Sequence, residues 1–361
     1  MTSSARGDAG SPRRRRTRRR GSISSSVTGN ASATTGSRRG PRGTSLQVRL
    51  KPLSEIRALI DEAGRFLLIQ GEEITDKFER KPIHINAINV RERIEPRGGR
   101  GVVEVMGKNL AAADEQARRL DRQILSQVNH PNFGYAITAE DLALATRSRF
   151  IEVFNGHPMT LSKGDPWHAS AERMWDIANT LRLGELKSSP IYALATDDAH
   201  EYHSDHPRSA APGRGWVMVR NRRLTPEALI RSLEAGDFYA SNGVTLSEVE
   251  YNREEQTLRI EVEPEDGVTY KIAFIGTPRD YDPTRNPVKN SQGQPLPVTR
   301  RYSPDVGKTF ATVEGTSATY KLTGDELYVR ATITSSLTRP YAGPPGRVHQ
   351  QAWTQPVGWQ K

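Results

Sequence analysis

The sequence predicts an α/β protein: a first folded region of alternating strands and helices, then a small antiparallel β-sandwich-like domain, both preceded by a disordered basic tail. Three observations carry this prediction. Apolar runs alternate with amphipathic helical patterns over residues 45–244, which is typical of a parallel sheet with crossover helices, either open or closed into a barrel. Residues 245–361 alternate apolar and polar residues without a helical stretch, as antiparallel strands do. Residues 1–44 are rich in Arg, Ser and Gly and contain too few apolar residues to form a core.

The positive charge of the chain is concentrated in this tail. The 361 residues include 52 Lys and Arg against 42 Asp and Glu, which gives a net charge of +10. Residues 1–43 contain eleven arginines and one acidic residue, Asp8, so the rest of the chain is close to neutral. A neutral folded region does not favour a nucleic-acid-binding surface. We expect nucleic acid to bind only nonspecifically, through the arginine run Arg13–Arg20.

Composition also excludes several classes of protein. The sequence has no cysteine, which removes disulfide frameworks, thiolate nucleophiles and Cys-ligated zinc. No apolar run approaches the ~20 residues of a membrane-spanning helix. The arginines of the tail are not followed by the apolar stretch of an export signal. The lack of such a signal predicts a cytoplasmic protein, or an exported one if the true start of the chain lies upstream.

Each element of the first region follows from its apolar pattern. A continuous apolar run predicts a buried strand. Apolar residues at three- and four-residue spacing predict a helix. In the first predicted helix, Pro52 suits the opening turn and Gly64 can cap the end. The predicted strands are Ser45–Leu50, Phe66–Ile69, His84–Val90, Phe150–Phe154 and Ile191–Ala195. The predicted helices are Pro52–Gly64, Asn109–Gln127, Thr138–Arg147 and Ala169–Leu183.

Polar residues cluster where these strands begin or end. Metal-ligating residue types occur at five such positions, which are Glu73, His84, His130, Asp198 and His200. In parallel α/β architectures the carboxyl ends of the strands meet at one face, where chemistry is done. Carboxylate oxygens and neutral imidazole nitrogens bind divalent zinc, manganese or iron. Taken singly, each residue has an ordinary alternative: a turn residue, a helix cap or a hydrogen-bonded core histidine.

Four short motifs in this region occur in a fixed order: Gly71-Glu-Glu-Ile-Thr75, His84-Ile-Asn-Ala87, Asn129-His-Pro-Asn-Phe133 and Thr196-Asp-Asp-Ala-His200. Together they resemble the PHP (polymerase and histidinol phosphatase) superfamily of metal-dependent phosphoesterases, over about Leu53 to Val244. The resemblance implies a distorted (β/α)7 barrel with two or three divalent metal ions at the carboxyl ends of its strands. It also implies that the five residues above are metal ligands, with Glu73 as the carboxylate that bridges two ions.

The sequence departs from this family in one respect. The family's domain begins with a His-x-His strand, and this chain has no His-x-His and no histidine before His84. We hypothesise that the N-terminal strands of the domain are missing, so that the barrel is partial. A site short of ligands is expected to hold metal poorly and to support weak activity. The alternative is a non-catalytic, truncated remnant that acts as a binding or interaction protein.

Three further residues are weaker candidates for contact with substrate. Glu152 and Asn155 lie at the end of a predicted strand. Arg214 lies in Gly213-Arg-Gly215, where we expect it to contact a phosphate group, with an ordinary solvated loop residue as the alternative. Three other histidines of the region are interpreted as surface residues: His157, His203 and His206. The expected substrate is a phosphorylated small molecule or a nucleotide, hydrolysed by metal-activated water.

The C-terminal region is predicted to be an accessory module. Its predicted strands are Leu246–Tyr251, Thr257–Val262, Thr269–Ile275, Thr309–Val313, Ser317–Lys321 and Leu327–Ile333. The intervening Gly276–Tyr302 is rich in Pro, Asn, Asp and Arg, and we interpret it as a structureless loop. Trp353 and Trp359 are expected to pack back onto a domain, with exposed carbohydrate-stacking tryptophans as the alternative.

Overall fold

The structure is a computed structural model that describes residues 35–39, 45–49, 51–204, 206, 209–341 and 346–359. The predicted disordered tail, residues 1–44, lies outside the described residues except for Thr35–Arg39, which form a strand. The chain divides into two compact units, Met1–Asp61 and Glu62–Lys361. The fold is mixed α/β with more strand than helix, 35% against 20%, so sheets dominate the architecture.

In the first unit, β1 (Thr35–Arg39) pairs antiparallel with β2 (Ser45–Arg49), and α1 (Leu53–Ile60) follows. The strand predicted at residues 45–50 and the helix predicted from residue 52 are therefore confirmed, although the helix ends earlier than predicted. Pro52 immediately precedes α1 with a φ of −64°. Its ring fixes this angle, which suits the start of a helix.

The second unit holds the other elements. Its strands are β3 (Gly71–Phe78), β4 (Lys81–Ile88), β5 (Leu125–Val128), β6 (Phe150–Asn155), β7 (Tyr192–Thr196), β8 (Trp216–Val219), β9 (Phe238–Ser241), β10 (Leu246–Asn252), β11 (Thr257–Val262), β12 (Tyr270–Pro278), β13 (Arg285–Asn286), β14 (Arg301–Tyr302), β15 (Lys308–Glu314), β16 (Ser317–Lys321), β17 (Glu326–Pro340) and β18 (Arg347–Thr354). Its helices are α2 (Val102–Arg119), α3 (Ala139–Leu144), α4 (Ala171–Thr180) and α5 (Pro226–Ala235), with a 3₁₀ turn at Phe133–Tyr135 and a π-helical turn at Leu181–Glu185.

Strands β3 to β7 form a five-stranded sheet in chain order. β5, β6 and β7 pair parallel, as alternating strands and helices predict. β3 and β4 instead pair antiparallel, because only Glu79 and Arg80 join them and a parallel pair needs a much longer crossover. β4 also pairs antiparallel with β5, after a long connection that contains α2. Glu79 adopts the positive φ (54°) that such a tight hairpin requires. The sheet supports the α/β class, whereas the seven-stranded barrel stays a prediction.

One predicted strand is wrong. Phe66–Ile69 is not a strand, and the strand lies instead at β3, which follows the predicted one in the sequence. The backbone of Phe66 exchanges hydrogen bonds of 2.9 Å with that of Glu62, so the apolar run begins inside a tight turn, and Phe66 is 47% exposed. β3 lies at an edge of the sheet and buries only Ile74 fully, so it lacks the continuous apolar run that marks a central strand.

The helix predicted at Asn109–Gln127 begins and ends earlier than expected. α2 starts at Val102, after the extended residue Gly101, and ends at Arg119. Asp121 has a positive φ (45°), which stops the helix, and the following residues form β5 between β4 and β6. The other helices and strands predicted for this region are present with shifts of a few residues at their ends.

The C-terminal strands do not stand apart from the first region. Strands β15, β12, β17, β18, β9 and β8 form a six-stranded sheet, in that order, and β8 and β9 precede Val244. A three-stranded sheet of β10, β11 and β16 shares an apolar core with the larger sheet. The two sheets agree with the predicted sandwich-like arrangement, but the boundary predicted at residues 244–245 does not separate two compact units.

Two smaller C-terminal predictions have different outcomes. The loop predicted at Gly276–Tyr302 contains structure, because β12 extends to Pro278 and β13 pairs with β14. Trp353 lies on β18, is 1% exposed and stacks on Phe154 with ring centroids 6.1 Å apart, which confirms that it packs back onto the fold. Trp359 is partly buried.

A buried ion cluster joins α4 to the six-stranded sheet. Arg330 of β17 donates from Nε and Nη2 to the two carboxylate oxygens of Asp176 on α4, at 2.8 and 2.7 Å. Tyr328 donates to the same carboxylate at 2.9 Å, and Glu172 lies 3.2 Å from Nη1 of Arg330. The guanidinium also lies over the ring of Trp175, 4.5 Å from its centroid. Burial opposes the charge on Arg330, but Asp176 outweighs burial and raises the pKa of the guanidinium.

Within the described part of the chain, no helix has the length and apolar character needed to cross a membrane.

Candidate metal centre

Three of the predicted ligands converge because of the β3–β4 hairpin and the loop after β5. In the hairpin Glu73 lies opposite Asn86 and Thr75 lies opposite His84, so Glu73 and His84 are diagonal neighbours on one face. The backbone N–H of Asn129 donates to the carbonyl of His84 at 3.0 Å, which brings the residue after it, His130, to the same place. Long-range strand pairing therefore assembles side chains that lie 11 and 46 positions apart in the sequence.

The ligand atoms of Glu73, His84 and His130 all lie within 4.8 Å of one another. Nδ1 of His84 is 2.9 Å and Nε2 of His130 is 3.4 Å from Oε1 of Glu73. The two imidazoles meet edge to face, with ring centroids 5.0 Å apart. His130 is buried and His84 nearly so, whereas the Glu73 side chain is 37% exposed and gives the cluster an open side. One carboxylate and two imidazoles form a typical three-residue ligand set for a divalent ion with an open coordination position.

The hydrogen bonding of the cluster also fits a metal site. Nδ1 of His84 is buried, and among the described residues it has no partner aligned for a hydrogen bond, although Glu73 lies close by. A cation at the centre of the triad would interact with this atom. The residues present therefore fit a divalent metal ion.

The electrostatics of the cluster hold Glu73 in its charged form. Burial disfavours the carboxylate, but contacts with His130 and His84 outweigh burial and hold the pKa of Glu73 far below its usual range. Burial also disfavours a charged His130, yet the carboxylates of Glu73 and Glu152 raise the pKa of this imidazole. A divalent cation binds to an ionised carboxylate and to neutral imidazoles, so it would replace the proton that these carboxylates favour on His130.

A second layer of polar residues positions the triad. Nδ2 of Asn129 donates to Oε1 of Glu73 at 3.1 Å. Glu152, on the fully buried strand β6, accepts from the backbone N–H of His130 at 2.8 Å and from Nε2 of Gln127 at 2.9 Å. Burial raises the pKa of the Glu152 carboxyl, against the lowering effect of His130. Partners of this kind fix the orientation of a metal ligand and tune its affinity.

The structure assigns different positions to the remaining predicted residues. Asp198 and His200 form a separate pair, in which Nδ1 of His200 lies 2.8 Å from the carbonyl and 3.5 Å from Oδ1 of Asp198. Asn155 connects this pair to Glu152, the residue that accepts a hydrogen bond from the backbone of His130. Its Nδ2 donates to Glu152 at 2.8 Å and to Asp198 at 3.2 Å. Glu152 and Asn155 therefore contact the supporting network, and the predicted contact with substrate stays a prediction.

The loop that carries Arg214 packs on the carboxyl ends of β6 and β7. A Cβ atom on Gly215 would lie 2.5 Å from the carbonyl oxygen of Thr196, so this close approach requires glycine. Arg214 is partly buried, and its side chain covers Gly156, directly after the supporting residue Asn155. The backbone N–H of Gly213 donates to Asp197 at 2.9 Å, so Arg214 lies near the loop that carries Asp198, and its contact with substrate stays a prediction.

Some residues of this site were not singled out by the sequence. Gln127 and Asn129 flank the end of β5 and position Glu152 and Glu73, and the only signal for Asn129 was its place in the motif before His130. His157 was interpreted as a surface residue, but it is half buried and its ring meets that of His200 at 5.0 Å. The two other histidines interpreted as surface residues are exposed, His203 and His206.

A cavity of about 580 Å³ lies away from the triad. It is lined by residues of β8, β9 and β10, among them Tyr251, and by Tyr192, Arg220 and Trp359. None of the three triad residues lines it. The triad, and not this cavity, brings metal-ligating side chains together, and we therefore take the triad as the candidate functional site.

Comparison with known proteins gives no assignment, because no family model and no curated protein matches the chain.

The buried acceptor behind His130 provides a test of the supporting layer. We expect Glu152→Gln to lower the affinity of the protein for Mn²⁺ by about 10–100-fold, the range typical of residues that orient metal ligands. The amide retains the shape but removes the negative charge that faces His130. Isothermal titration with Mn²⁺ measures the change, and Glu140→Gln, a change outside the network, serves as the control. Equal affinities for the wild type and Glu152→Gln would show that Glu152 is not a supporting residue.

Proposed function

We propose that the protein is a metal-dependent hydrolase of phosphoesters in which Glu73, His84 and His130 hold a divalent ion. The observation that carries the proposal is the convergence of these three ligand atoms within 4.8 Å at the open edge of a buried sheet. A divalent ion bound there would lower the pKa of a bound water molecule and polarise a phosphoryl oxygen. Zinc, manganese and iron all accept this combination of imidazole and carboxylate ligands.

The chain's own residues prepare the site for this chemistry. Glu73 supplies the negative charge, and Asn129 holds its carboxylate in place through a 3.1 Å hydrogen bond. Glu152 fixes the loop that carries His130, so the ligand is preorganised before an ion binds. The motifs shared with the PHP superfamily point to a phosphoester as the substrate, with a phosphorylated small molecule or nucleotide as the class. The partial (β/α)7 barrel and the second metal position, at Asp198 and His200, belong to this proposal.

One observation favours a second candidate function. Only three of the five predicted ligands converge, and Asp198 and His200 bond mainly to each other. A three-ligand site holds a metal less firmly than a complete set, which favours a non-catalytic protein that binds a partner. The two candidates differ in metal content, and the experiment can therefore separate them.

The test uses the full chain, equilibrated with Zn²⁺, Mn²⁺ or Fe²⁺, then freed of loose ions and analysed for bound metal. The same samples are assayed for hydrolysis of p-nitrophenyl phosphate before and after chelation. We expect at least one bound ion per chain, and hydrolysis that chelation abolishes. His130→Ala is expected to lose both, whereas His203→Ala, the removal of an exposed histidine, keeps both. A folded wild-type protein without bound metal would contradict the proposal and favour the non-catalytic candidate.

A further inference from the structure

Two arginines from distant parts of the chain lie together beside the candidate metal centre. Arg339 is near the end of β17, and Nη1 of its guanidinium donates to the carbonyl oxygen of Arg214 at 2.6 Å. Nη1 of Arg214 in turn lies 3.4 Å from the carbonyl oxygen of Pro340. The guanidinium of Arg339 also lies over the ring of Trp216, 5.9 Å from its centroid. These reciprocal contacts hold two positive side chains side by side.

The arginine pair lies at the same end of the sheet as the polar network. An ideal Cβ on Gly156 would lie 2.5 Å from Cβ of Arg214, so the arginine stem rests directly on the residue between Asn155 and His157. The backbone N–H of Gly213 donates to Asp197 at 2.9 Å, which anchors the loop after β7. The segment after Arg339 packs there too, because Tyr341 is buried against Phe154 of β6 with ring centroids 6.4 Å apart.

No carboxylate of the described residues balances the charge of Arg339. In the part of the chain that the structure describes, Arg339 donates a single hydrogen bond, to a backbone carbonyl, and no carboxylate pairs with it. Burial lowers the pKa of Arg339, and the neighbouring charge of Arg214 lowers it further. Two like charges held together in a partly buried place repel each other, and an anion between them would remove that repulsion.

We propose that Arg214 and Arg339 form an anion subsite that binds a phosphoryl group of the substrate next to the metal centre. Guanidinium groups present several donors in one plane and match the oxygens of a phosphate. Two positive charges suit the dianionic phosphate of a monoester better than the single charge of a diester. The inference rests on the proposed function, since it treats the pair as part of that site. It also makes the C-terminal sheet part of the substrate site rather than an accessory module.

The experiment measures binding of inorganic phosphate to the full chain by isothermal titration, in the absence of metal and again with Mn²⁺ present. We expect Arg339→Met and Arg214→Met each to weaken phosphate binding about 10–100-fold, as loss of a hydrogen bond to a charged group does. The affinity for Mn²⁺ in the absence of phosphate should stay within about twofold of wild type, because neither arginine contacts the triad. Arg259→Met, which removes an exposed arginine on β11, should leave both affinities unchanged.

A conservative variant keeps the test decisive if a methionine variant does not fold. Arg339→Lys retains the charge and the aliphatic stem over Trp216, and it should bind phosphate more tightly than Arg339→Met but less tightly than wild type. Unchanged phosphate affinity in all arginine variants would overturn the inference, as would phosphate binding that requires Mn²⁺ and ignores the arginines. Failure of the proposed function has a different signature: wild type binds no Mn²⁺ but still binds phosphate through the pair.

Discussion

Replacing Glu73 with glutamine is expected to abolish measurable metal binding and the hydrolysis that depends on it. The change removes the only carboxylate of the triad and leaves two neutral imidazoles around the ion. Because a supporting residue already contributes about 10–100-fold to metal affinity, we expect the loss of this ligand to exceed about 100-fold. Titration with Mn²⁺ and Zn²⁺, with bound metal measured after gel filtration, gives the affinity directly.

The neighbouring residue provides a matched control for this substitution. Glu72 lies on the same strand, and its side chain accepts a hydrogen bond from the backbone N–H of Ile94 at 2.8 Å. Glu72→Gln retains an acceptor for this bond and removes one negative charge, as Glu73→Gln does. We expect Glu72→Gln to bind metal like the wild type. If the two variants lose metal affinity equally, a general charge effect explains the result and the triad is not the site.

The substitution Asp176→Ala is expected to produce the largest loss of stability. It leaves Arg330 buried, 1% exposed, without the carboxylate that binds both Nε and Nη2. Removal of one partner from a buried pair costs about 3–5 kcal/mol, because the remaining charge cannot return to water. Unfolding in urea, followed by tryptophan fluorescence, measures the change in free energy, and the signal includes Trp175, on which Arg330 rests.

An exposed ion pair gives the comparison for this effect. Arg285 and Glu185 lie 3.2 Å apart, and both side chains are more than a third exposed. Glu185→Ala should therefore cost no more than about 1 kcal/mol, because water screens the pair. A double substitution of Asp176 and Arg330 with apolar residues should recover part of the lost stability. If Asp176→Ala unfolds at the same urea concentration as Glu185→Ala, the buried cluster does not stabilise the fold.

The sequence singled out the three residues that the structure brings together, but for an incomplete reason. Glu73 was expected after the end of a buried strand, and it lies instead within β3, because the apolar run before it begins in the turn closed by Glu62 and Phe66. Residue type and motif order singled out His84 and His130, and neither depends on where the strand that carries Glu73 begins. The diagonal contact between Glu73 and His84 depends on a two-residue hairpin, whose register the apolar pattern does not reveal.

The remaining contacts around the site depend on residues that are distant in the sequence. Asp198 adopts a positive φ (48°) at the end of β7, and the turn directs His200 to a separate pair with it rather than to the triad. Arg339 and Arg214 are 125 positions apart, and Ala352 of β18 and its partner Ser241 of β9 are 111 positions apart. Apolar periodicity reports the local element and carries little information about such pairings.

The way β9 lies between strands from two parts of the chain determines where this protein can be divided. A fragment that ends at Val244 would retain Glu73, His84 and His130, yet β9 would lose its neighbour β18 and expose an unpaired edge. Proteolysis at that point, or a recombination event that exchanges the C-terminal part, would therefore produce an aggregation-prone fragment rather than a free module. The two parts are expected to be inherited as one unit.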